Sequence, residues 1–293
     1  MIFEAHSDNN TNSVTVLKNL GFVPNWSFES SIVPRWRYRQ VLEALLRRGI
    51  KSPDFVAIKE VVQRPLWALY FVFAPEGNLT TAHRFTLAKL RLQGFGIFVV
   101  VATKDFHSLP HDLTDMADAV YWKALPGYDF SAYSLGLSVL ARRSAGATVL
   151  VMNDSVLGPV CDVLDMTTKA PWELTGFTAS GVIENHVQSY AFVLKNFTSD
   201  RLLRLRTVLF PFFACGGRDD VIACQESRMA RVASAVMTVG AYWYLQGGDP
   251  TQHAPFELMD AGCPFVKRSL IEPRSSFADK ERAQAFFQDI IGQ

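Results

Sequence analysis

A short run of apolar and β-branched residues, Ala147 to Met152, stops at the polar tripeptide Asn153-Asp154-Ser155. A strand without polar positions is typical of a parallel sheet that is covered on both faces. Gly158 and Pro159 break the chain soon afterwards. We therefore expect Asp154 in a loop at the carboxyl end of the strand, where open α/β sheets bind their ligands.

A second polar loop precedes this strand. The segment Gly127-Tyr128-Asp129-Phe130 predicts a turn that begins a helix running to about Arg143. Because this turn follows one strand and Asp154 follows the next, a single strand–helix–strand unit is expected to bring both loops to the same edge of the sheet.

Strands and helices alternate along the chain from Trp67 onward. A helix is predicted from Thr80 to Gln93, and its apolar face comprises Ala82, Phe85, Ala88 and Leu92. The predicted strands are Leu69 to Ala74, Gly96 to Ala102, Val120 to Trp122, Ala147 to Met152, Glu173 to Ser180 and Ser189 to Leu194. This order indicates an α/β fold with a mixed, mostly parallel sheet flanked by helices.

The first 65 residues differ from the rest and are predicted to form a small N-terminal helical appendage, with residues 66–293 as the main domain. The appendage contains a basic helix from about Pro34 to Arg48 with apolar residues Val41, Leu42, Leu45 and Leu46. Two interpretations are open. The helix packs on the main domain through its apolar residues, or its cations hold it weakly on an anionic membrane surface.

Composition excludes several classes of protein. The 293 residues are 49% hydrophobic, enough for a sizeable core, and a net charge of +1 argues against nucleic acid as a partner. No apolar stretch reaches the ~18 residues of a membrane span. The N-terminus, MIFEAHSDNN, is unlike a secretory signal, so a cytoplasmic protein with at most peripheral membrane contact is expected. The four cysteines lack C-x-x-C spacing and are expected to be free thiols.

A glutamate lies within an apolar helical pattern in the second half of the chain. A long helix is predicted from about Asp220 to Leu245, with Gly240 at its end. Glu226 lies at the margin of its apolar face, which comprises Ile222, Met229, Val232, Val236 and Val239. The positions three and four residues from Glu226 hold no lysine or arginine to pair with it. We therefore expect Glu226 to face inward or toward a cleft.

Five sequence blocks follow one another along the chain: GYDFSAYSLGL, VLVMNDSVLGP, TGFTAS, ENHVQSYAFVL and CPFVKRSLI. Together they resemble the rhamnan synthesis F family, glycosyltransferase-like proteins of bacterial surface polysaccharide assembly, over roughly Trp67 to Ile271. More distantly, the chain resembles the GT-A glycosyltransferase fold, whose Asp-x-Asp motif holds a metal and the donor diphosphate. The resemblance implies a donor half at about residues 66–165 and an acceptor half at about 166–293.

The resemblance implies that Asp154 contacts the nucleotide-sugar donor. It also implies that Asp154 is a ligand of a divalent cation, Mg²⁺ or Mn²⁺. Asn153 occupies the place of the motif's first aspartate. One carboxylate and substrate phosphates are enough to bind Mg²⁺. Alternatively, Asp154 only forms an Asx-turn or a helix cap. As a loop residue it is expected to tolerate replacement by alanine with little change in stability.

Glu226 matches a family glutamate and is implied to be the catalytic base of an inverting transfer; the alternative is a structural role. The other predicted donor-binding residues are Asn153, Ser155, Gly127, Asp129, His253, Lys267 and Arg268. The cations among them would offset the charge that develops on a leaving nucleoside diphosphate. Alternatively, these cations are ordinary charged residues on the surface and bind no ligand.

Two functional hypotheses follow. The first is an inverting glycosyltransferase that moves a sugar of the rhamnose or galactofuranose type from a nucleotide-sugar donor to a growing glycan or lipid-linked glycan of the bacterial surface. The second is a non-catalytic carbohydrate-binding or assembly protein with the same fold. Asn153 favours the second hypothesis, whereas Asp154, Glu226 and Lys267 in family positions favour the first.

Overall fold

A computed structural model describes residues 7–271 and 277–292. The strands are β1 (Phe22–Ser27), β2 (Gly49–Lys51), β3 (Phe55–Lys59), β4 (Leu66–Phe73), β5 (Gly96–Thr103), β6 (Ala119–Ala124), β7 (Ala147–Asn153), β8 (Val156–Leu157), β9 (Leu174–Ser180), β10 (His186–Val187), β11 (Ala191–Phe197), β12 (Phe213–Cys215), β13 (Val239–Leu245) and β14 (Val266–Lys267). The α-helices are α1 (Ser7–Asn19), α2 (Arg35–Arg48), α3 (Thr81–Leu92), α4 (Leu113–Met116), α5 (Tyr128–Arg143), α6 (Val163–Thr168), α7 (Ser199–Leu205), α8 (Arg218–Val221), α9 (Ser227–Ala233), α10 (Pro250–His253), α11 (Pro255–Asp260) and α12 (Lys280–Gly292).

One large sheet organises the molecule. Its strand order is β1-β13-β9-β11-β7-β4-β5-β6-β3, and β10 pairs with β9 outside this path. Strands β13 and β9 are parallel, and so are β7, β4, β5 and β6, whereas β11 lies antiparallel between the two groups. The predicted α/β fold, with a mixed, mostly parallel sheet flanked by helices, is confirmed.

Strand β4 is buried on both of its faces, which explains why its sequence is a continuous apolar run. Trp67, Leu69 and Phe71 belong to the core beneath α5, whereas Ala68, Tyr70 and Val72 belong to the core on the opposite face of the sheet. Because side chains alternate between the two faces of a strand, burial on both sides removes every position at which water would favour a polar residue. The central strands are therefore held rigidly, and polar loops begin only at their ends.

Segments from the first 65 residues are part of this sheet. Strand β1 pairs with β13 and β3 pairs with β6, so they form its two edges. Helix α2 packs on the domain through Val41, Ala44 and Leu45. Leu42 and Leu46 are instead 57% and 76% exposed, so the predicted apolar face of this helix is wrong at these two positions. The division of the chain near residue 65 stays a prediction.

The predicted long helix from Asp220 to Leu245 is wrong in its second half. Helix α8 continues through a π-helical turn, Ile222–Glu226, into α9, which ends at Ala233. Residues 239–245 form β13, which lies between β1 and β9. A run of aromatic and small residues that is buried between two strands can match a helical spacing as well as a strand, and here the sheet pairing prevails.

Gly240 therefore does not end a helix but lies inside β13. A Cβ atom at this position would lie 2.4 Å from two ring atoms of Trp172 and 2.5 Å from the carbonyl oxygen of Trp26. The backbone of β1 cannot withdraw without losing its pairing with β13. The glycine is required by close packing rather than by helix termination.

We expect Gly240→Ala to lower the free energy of unfolding by about 1–3 kcal/mol, the usual cost of overpacking a filled core. The matched control is Gly247→Ala, because a Cβ at Gly247 would meet no atom within 4 Å. Urea denaturation of both variants measures the difference. Equal midpoints for the two variants would contradict the close-packing explanation.

The face of helix α3 that packs against the sheet differs from the predicted apolar face. The helix begins close to the predicted start, with Thr80 as its N-cap, but the buried residues are Ala82, His83, Thr86, Leu87 and Leu90. Leu92, assigned to the apolar face, is 81% exposed. The consequence is that a histidine and a threonine, not only apolar groups, lie against the sheet.

Candidate functional site

A cavity of about 670 Å³ lies at the carboxyl edge of the parallel strands. It is bordered by the ends of β4 and β7, by the loop after β6 and by the residues before β11, which runs in the opposite direction. Seven residues predicted from the sequence line it: Gly127, Asp129, Asn153, Asp154, Ser155, Glu226 and Lys267. Residues as far apart in the sequence as Gly127 and Lys267, 140 positions, thus line one cavity, and the strands of like direction bring their ends to this edge.

Asp154 is held firmly at the end of β7. Its Oδ2 accepts a hydrogen bond of 2.9 Å from the backbone N–H of Phe73 and lies 3.0 Å from Nε2 of His83. The side chain is only 16% exposed. The tolerance of alanine expected from the sequence presumed a surface loop, whereas this carboxylate is the acceptor for the buried His83. Its removal would leave Nε2 of that ring without an acceptor, so we now expect alanine to lower stability.

The side chain of Asn153 connects Ser155, in the loop after β7, to Asp129 at the start of α5. Its Oδ1 accepts from the backbone N–H of Ser155 at 3.1 Å and from the Ser155 hydroxyl at 2.5 Å, and its Nδ2 donates to Asp129 Oδ2 at 2.8 Å. An aspartate at this position would place a second negative charge against Asp129. The amide therefore fits a structural bridge, and its oxygen is already occupied by two donors.

Asp129 lies at the start of α5 and is partly exposed at the cavity wall. Burial of its carboxylate and, next, the negative charge of Glu226 raise the pKa of Asp129 to about 6. Hydrogen bonds from the Phe130 N–H and from Asn153 oppose this effect because they favour the ionised form. Asp129 is therefore a carboxylate whose charge changes close to neutral pH.

Glu226 is the last residue of the π-helical turn between α8 and α9. Such turns add a residue to a helix and so change the direction of the side chains that follow; they occur often at functional sites. Glu226 Oε1 accepts a hydrogen bond of 2.9 Å from the backbone N–H of Ser189, while Oε2 accepts none from the described residues. Arg37 of α2 supports the turn, since its Nη2 donates to Ser227 Oγ at 3.0 Å.

Two cations line the cavity, Lys267 and Arg218. Lys267 Nζ lies 4.8 Å from the centroid of the Tyr190 ring and 3.5 Å from Ser155 Oγ. Arg218 is not among the residues predicted from the sequence, although Gly216 and Gly217 directly before it mark a turn into a helix. Together they bring positive charge to the cavity that the carboxylates line.

The predicted donor-binding cations Arg268 and His253 lie outside the lining of the cavity. Arg268 Nη1 donates to the carbonyl oxygen of Asp154 at 2.9 Å, and its backbone N–H donates to the carbonyl oxygen of Ser155 at 2.9 Å. Arg268 therefore holds the loop rather than facing the cavity. His253 is exposed at the end of α10, where its ring lies 6.1 Å from that of Phe22.

The loop before α5 is fixed by Gly127 and Lys123. Gly127 has a φ of +91°, and a Cβ there would lie 2.8 Å from Ser131 and from Ala214, so only glycine fits. Lys123 is buried and donates to the Pro126 carbonyl oxygen at 2.9 Å. Burial lowers the pKa of Lys123 to about 7. Lys123 was missed from the sequence because a lysine in a short strand carries no local signal of burial.

A second cavity, of about 600 Å³, lies between α5 and α7 and is lined by serines, apolar residues, Lys123 and two arginines. No aspartate or glutamate of the described residues lines it. Of these two cavities, the one at the carboxyl edge of the sheet combines three carboxylates, Asp129, Asp154 and Glu226, with two cations, and we take it as the candidate active site.

The cavity residues fit a divalent cation only in part. Within residues 7–271 and 277–292, no three His, Cys, Asp or Glu side chains form a group that could hold a metal. Asp154 Oδ1, which accepts no hydrogen bond from a described residue, is the available ligand. A Mg²⁺ or Mn²⁺ ion would therefore need donor phosphates to complete its coordination, as Mg²⁺ commonly does.

Comparison with known proteins gives distant similarities. No family model matches the chain. The chain is 27% identical over 131 residues, 42% of its length, to the "Uncharacterized protein y4gN" of Sinorhizobium fredii, of which this match spans 34%.

Among solved structures, the chain is similar to 4-diphosphocytidyl-2C-methyl-D-erythritol synthase of Anaerococcus prevotii, with 11% identity and a TM-score of 0.42 over 76% of this chain and 97% of that one. It is also similar to the mannosyltransferase PcManGT of Pyrobaculum calidifontis, solved with GDP-Man and Mn²⁺, with 13% identity and a TM-score of 0.39 over 97% of this chain and 80% of that one. The resemblance to the rhamnan synthesis F family stays a prediction.

Proposed function

We propose that this chain is a glycosyltransferase that takes its sugar from a nucleotide-sugar donor. The observation that carries the proposal is one cavity that combines three carboxylates, Asp129, Asp154 and Glu226, with two cations, Lys267 and Arg218. A nucleotide sugar presents hydroxyl groups and a diphosphate, and these need acceptors and positive charges respectively. The volume of the cavity, about 670 Å³, is within the range of small-molecule sites.

The roles of the residues follow from their partners. Asp154 contacts the donor, directly or through a divalent cation, and Asp129 accepts a hydrogen bond from a sugar hydroxyl. Glu226, with Oε1 fixed by Ser189, takes the proton from the acceptor hydroxyl at Oε2 as that oxygen bonds to the anomeric carbon. The leaving nucleoside diphosphate departs with the electron pair of the broken bond, and Lys267 and Arg218 offset its charge. This single displacement inverts the anomeric centre.

The resemblance of the sequence blocks supports the finer part of the proposal. It favours membership of the rhamnan synthesis F family, a sugar of the rhamnose or galactofuranose type, and a growing bacterial surface polysaccharide or lipid-linked glycan as the acceptor. Residues 66–165 and 166–293 would then serve mainly the donor and the acceptor, with Glu226 on the acceptor side.

A second candidate function is non-catalytic carbohydrate binding. It is favoured by Asn153, whose side chain is engaged in the bridge to Asp129 rather than being a free acid. A panel of UDP-, GDP- and dTDP-sugars, assayed for transfer and hydrolysis with and without a chelator, separates the two. Turnover of any donor supports the transferase, whereas sugar binding without turnover of any donor supports the alternative.

The proposed role of Asp129 predicts an acid limb in the pH profile. Because the pKa of Asp129 is raised to about 6, its carboxylate is ionised above that pH and neutral below it. We expect kcat/KM for the donor to fall as the pH drops through about 6, by about tenfold per pH unit below it. Asp129→Asn should have a lower plateau without this limb. An unchanged limb in that variant would show that another group titrates.

We also propose at most weak, peripheral contact of α2 with a membrane on the cytoplasmic side. Among the described residues, no helix has the length and apolar character needed to cross a bilayer. Arg37 and Arg48 are engaged with Ser227 and Asp220, while Trp36, Leu42 and Leu46 are exposed.

The remaining surface cations of α2, Arg35, Arg39 and Arg47, would contribute about 1 kcal/mol each near an anionic surface. We expect sedimentation with anionic vesicles at low salt and release at high salt. No binding at low salt, or binding that salt leaves unchanged, contradicts this proposal.

A further inference from the structure

His83 is a buried histidine that uses both ring nitrogens. It lies in the first turn of α3 and is 1% exposed. Its Nδ1 accepts a hydrogen bond of 3.2 Å from the backbone N–H of Thr80, and its Nε2 lies 3.0 Å from Asp154 Oδ2. A neutral imidazole carries one proton, so the nitrogen that accepts from Thr80 is bare and Nε2–H is the donor to Asp154.

This contact determines which oxygen Asp154 presents. Oδ2 receives two hydrogen bonds, one from the His83 ring and one from the Phe73 backbone at 2.9 Å. Both donors are fixed, one by a helix and the other by the end of β4. The carboxylate therefore cannot rotate freely, and Oδ1 is left for the cavity.

Histidine at position 83 can make two hydrogen bonds that a glutamate at this position of a helix cap cannot make together. Thr80 and His83 form a capping box, in which the third helical residue is usually Glu or Gln. A glutamate here would turn a second carboxylate toward Asp154. Histidine accepts the cap hydrogen bond and at the same time donates to Asp154, which a carboxylate cannot do.

We propose that His83 is a positioning residue of the donor site: by donating from Nε2, it orients Asp154 so that Oδ1 faces the bound donor or its cation. What Asp154 contacts rests on the proposed function; that His83 orients Asp154 does not. Partners that orient a ligating carboxylate typically change affinity or activity by about 10- to 100-fold when they are removed.

The test compares three variants of the full chain with the wild type. His83→Leu removes both hydrogen bonds, His83→Gln supplies an N–H to Asp154 and an oxygen for the cap, and Thr80→Ala weakens only the cap. With the nucleotide sugar that the panel identifies, we expect kcat/KM to fall about 10- to 100-fold in His83→Leu. It should recover to within several-fold in His83→Gln and remain near the wild-type value in Thr80→Ala. Melting temperatures are measured for all of them.

A merely structural role makes a different prediction. In that case Thr80→Ala and His83→Leu would lose activity only in step with their melting temperatures, and glutamine would restore nothing; either result overturns the proposal. Should His83→Leu fail to fold, His83→Glu keeps an acceptor for the cap but turns a carboxylate toward Asp154, and it is expected to show the same loss. Activity of that variant equal to His83→Gln would likewise overturn the proposal.

A measurement without any donor separates this proposal from the proposed function. The nitrogen-15 spectrum of His83 should show the proton on Nε2, with a resonance that shifts in Asp154→Asn. A proton on Nδ1 overturns the assignment. If the wild type turns over no nucleotide sugar while Nε2 carries the proton, the transferase proposal fails and the orientation of Asp154 by His83 stands.

Discussion

Glu226→Gln is expected to lower the rate of sugar transfer by about 10²-fold or more while the donor still binds. Glutamine retains the volume of the side chain and an oxygen that accepts from the Ser189 N–H, the contact that fixes Glu226 at 2.9 Å. It cannot take a proton from an acceptor hydroxyl. Steady-state kcat together with the dissociation constant of the donor, measured by calorimetry, checks both halves of the prediction.

The matched control is Glu43→Gln, an exposed helical glutamate on α2 that does not line the cavity. We expect wild-type transfer in this variant. A further consequence distinguishes the assignment: because the charge of Glu226 raises the pKa of Asp129, Glu226→Gln should move the acid limb of donor kcat/KM to lower pH. Wild-type kcat in Glu226→Gln, or lost donor affinity without a change in rate, would count against a base at this position.

Asp154→Asn is expected to lower kcat/KM for the donor by about 10- to 100-fold, the range that corresponds to losing one hydrogen bond or ion contact to a charged group. Asparagine is preferable to alanine, because its oxygen still accepts from the Phe73 N–H and from His83. Alanine would leave the buried Nε2 of His83 unpaired, at a cost of about 1–3 kcal/mol. Circular dichroism and melting temperatures should therefore remain close to wild type in Asp154→Asn and not in Asp154→Ala.

Repeating the Asp154→Asn assay with and without a chelator identifies what Asp154 contacts. If wild-type transfer is lost on chelation, the carboxylate acts through a divalent cation. If transfer survives chelation, Lys267 and Arg218 are the groups that offset the phosphate charge, and Lys267→Met should then reduce turnover further. Unimpaired transfer in Asp154→Asn under both conditions would remove Asp154 from the donor site.

Asn153 shows how tertiary structure changes the meaning of a sequence feature. In the sequence it is a departure from an Asp-x-Asp motif and favours a protein without catalytic activity. In the structure its amide lies between Ser155 and Asp129, where an aspartate would repel its neighbour. An asparagine at position 153 therefore joins the loop after β7 to the start of α5 at the edge of the cavity. Asp154, Glu226, Lys267 and Arg218 still line that cavity.

Two elements mark the limit of prediction from local pattern. The turn at Gly127 predicts a helix to about Arg143, and α5 spans Tyr128–Arg143, because the glycine that begins the helix lies directly beside it in the sequence. Residues 239–245 carry a helical spacing but form strand β13, and local pattern does not reveal this because the partner strands, β1 and β9, lie far away in the sequence. The orientation of Glu226 depends on a π-helical turn, which no spacing rule reveals.

The alternation of strands and helices and the ends of the central strands can be read from the sequence, because burial on both faces of a strand leaves an unbroken apolar run. The strand ends in turn predict the edge of the sheet at which Asp129 and Asp154 line the cavity. The polar groups that complete the site become apparent only once the chain is folded. His83 reaches Asp154 across 71 residues and Glu226 accepts from Ser189 across 37, and neither contact leaves a local pattern. A hydrogen bond depends on the position of two atoms in space, and for residues so far apart that position is set by packing of the whole sheet.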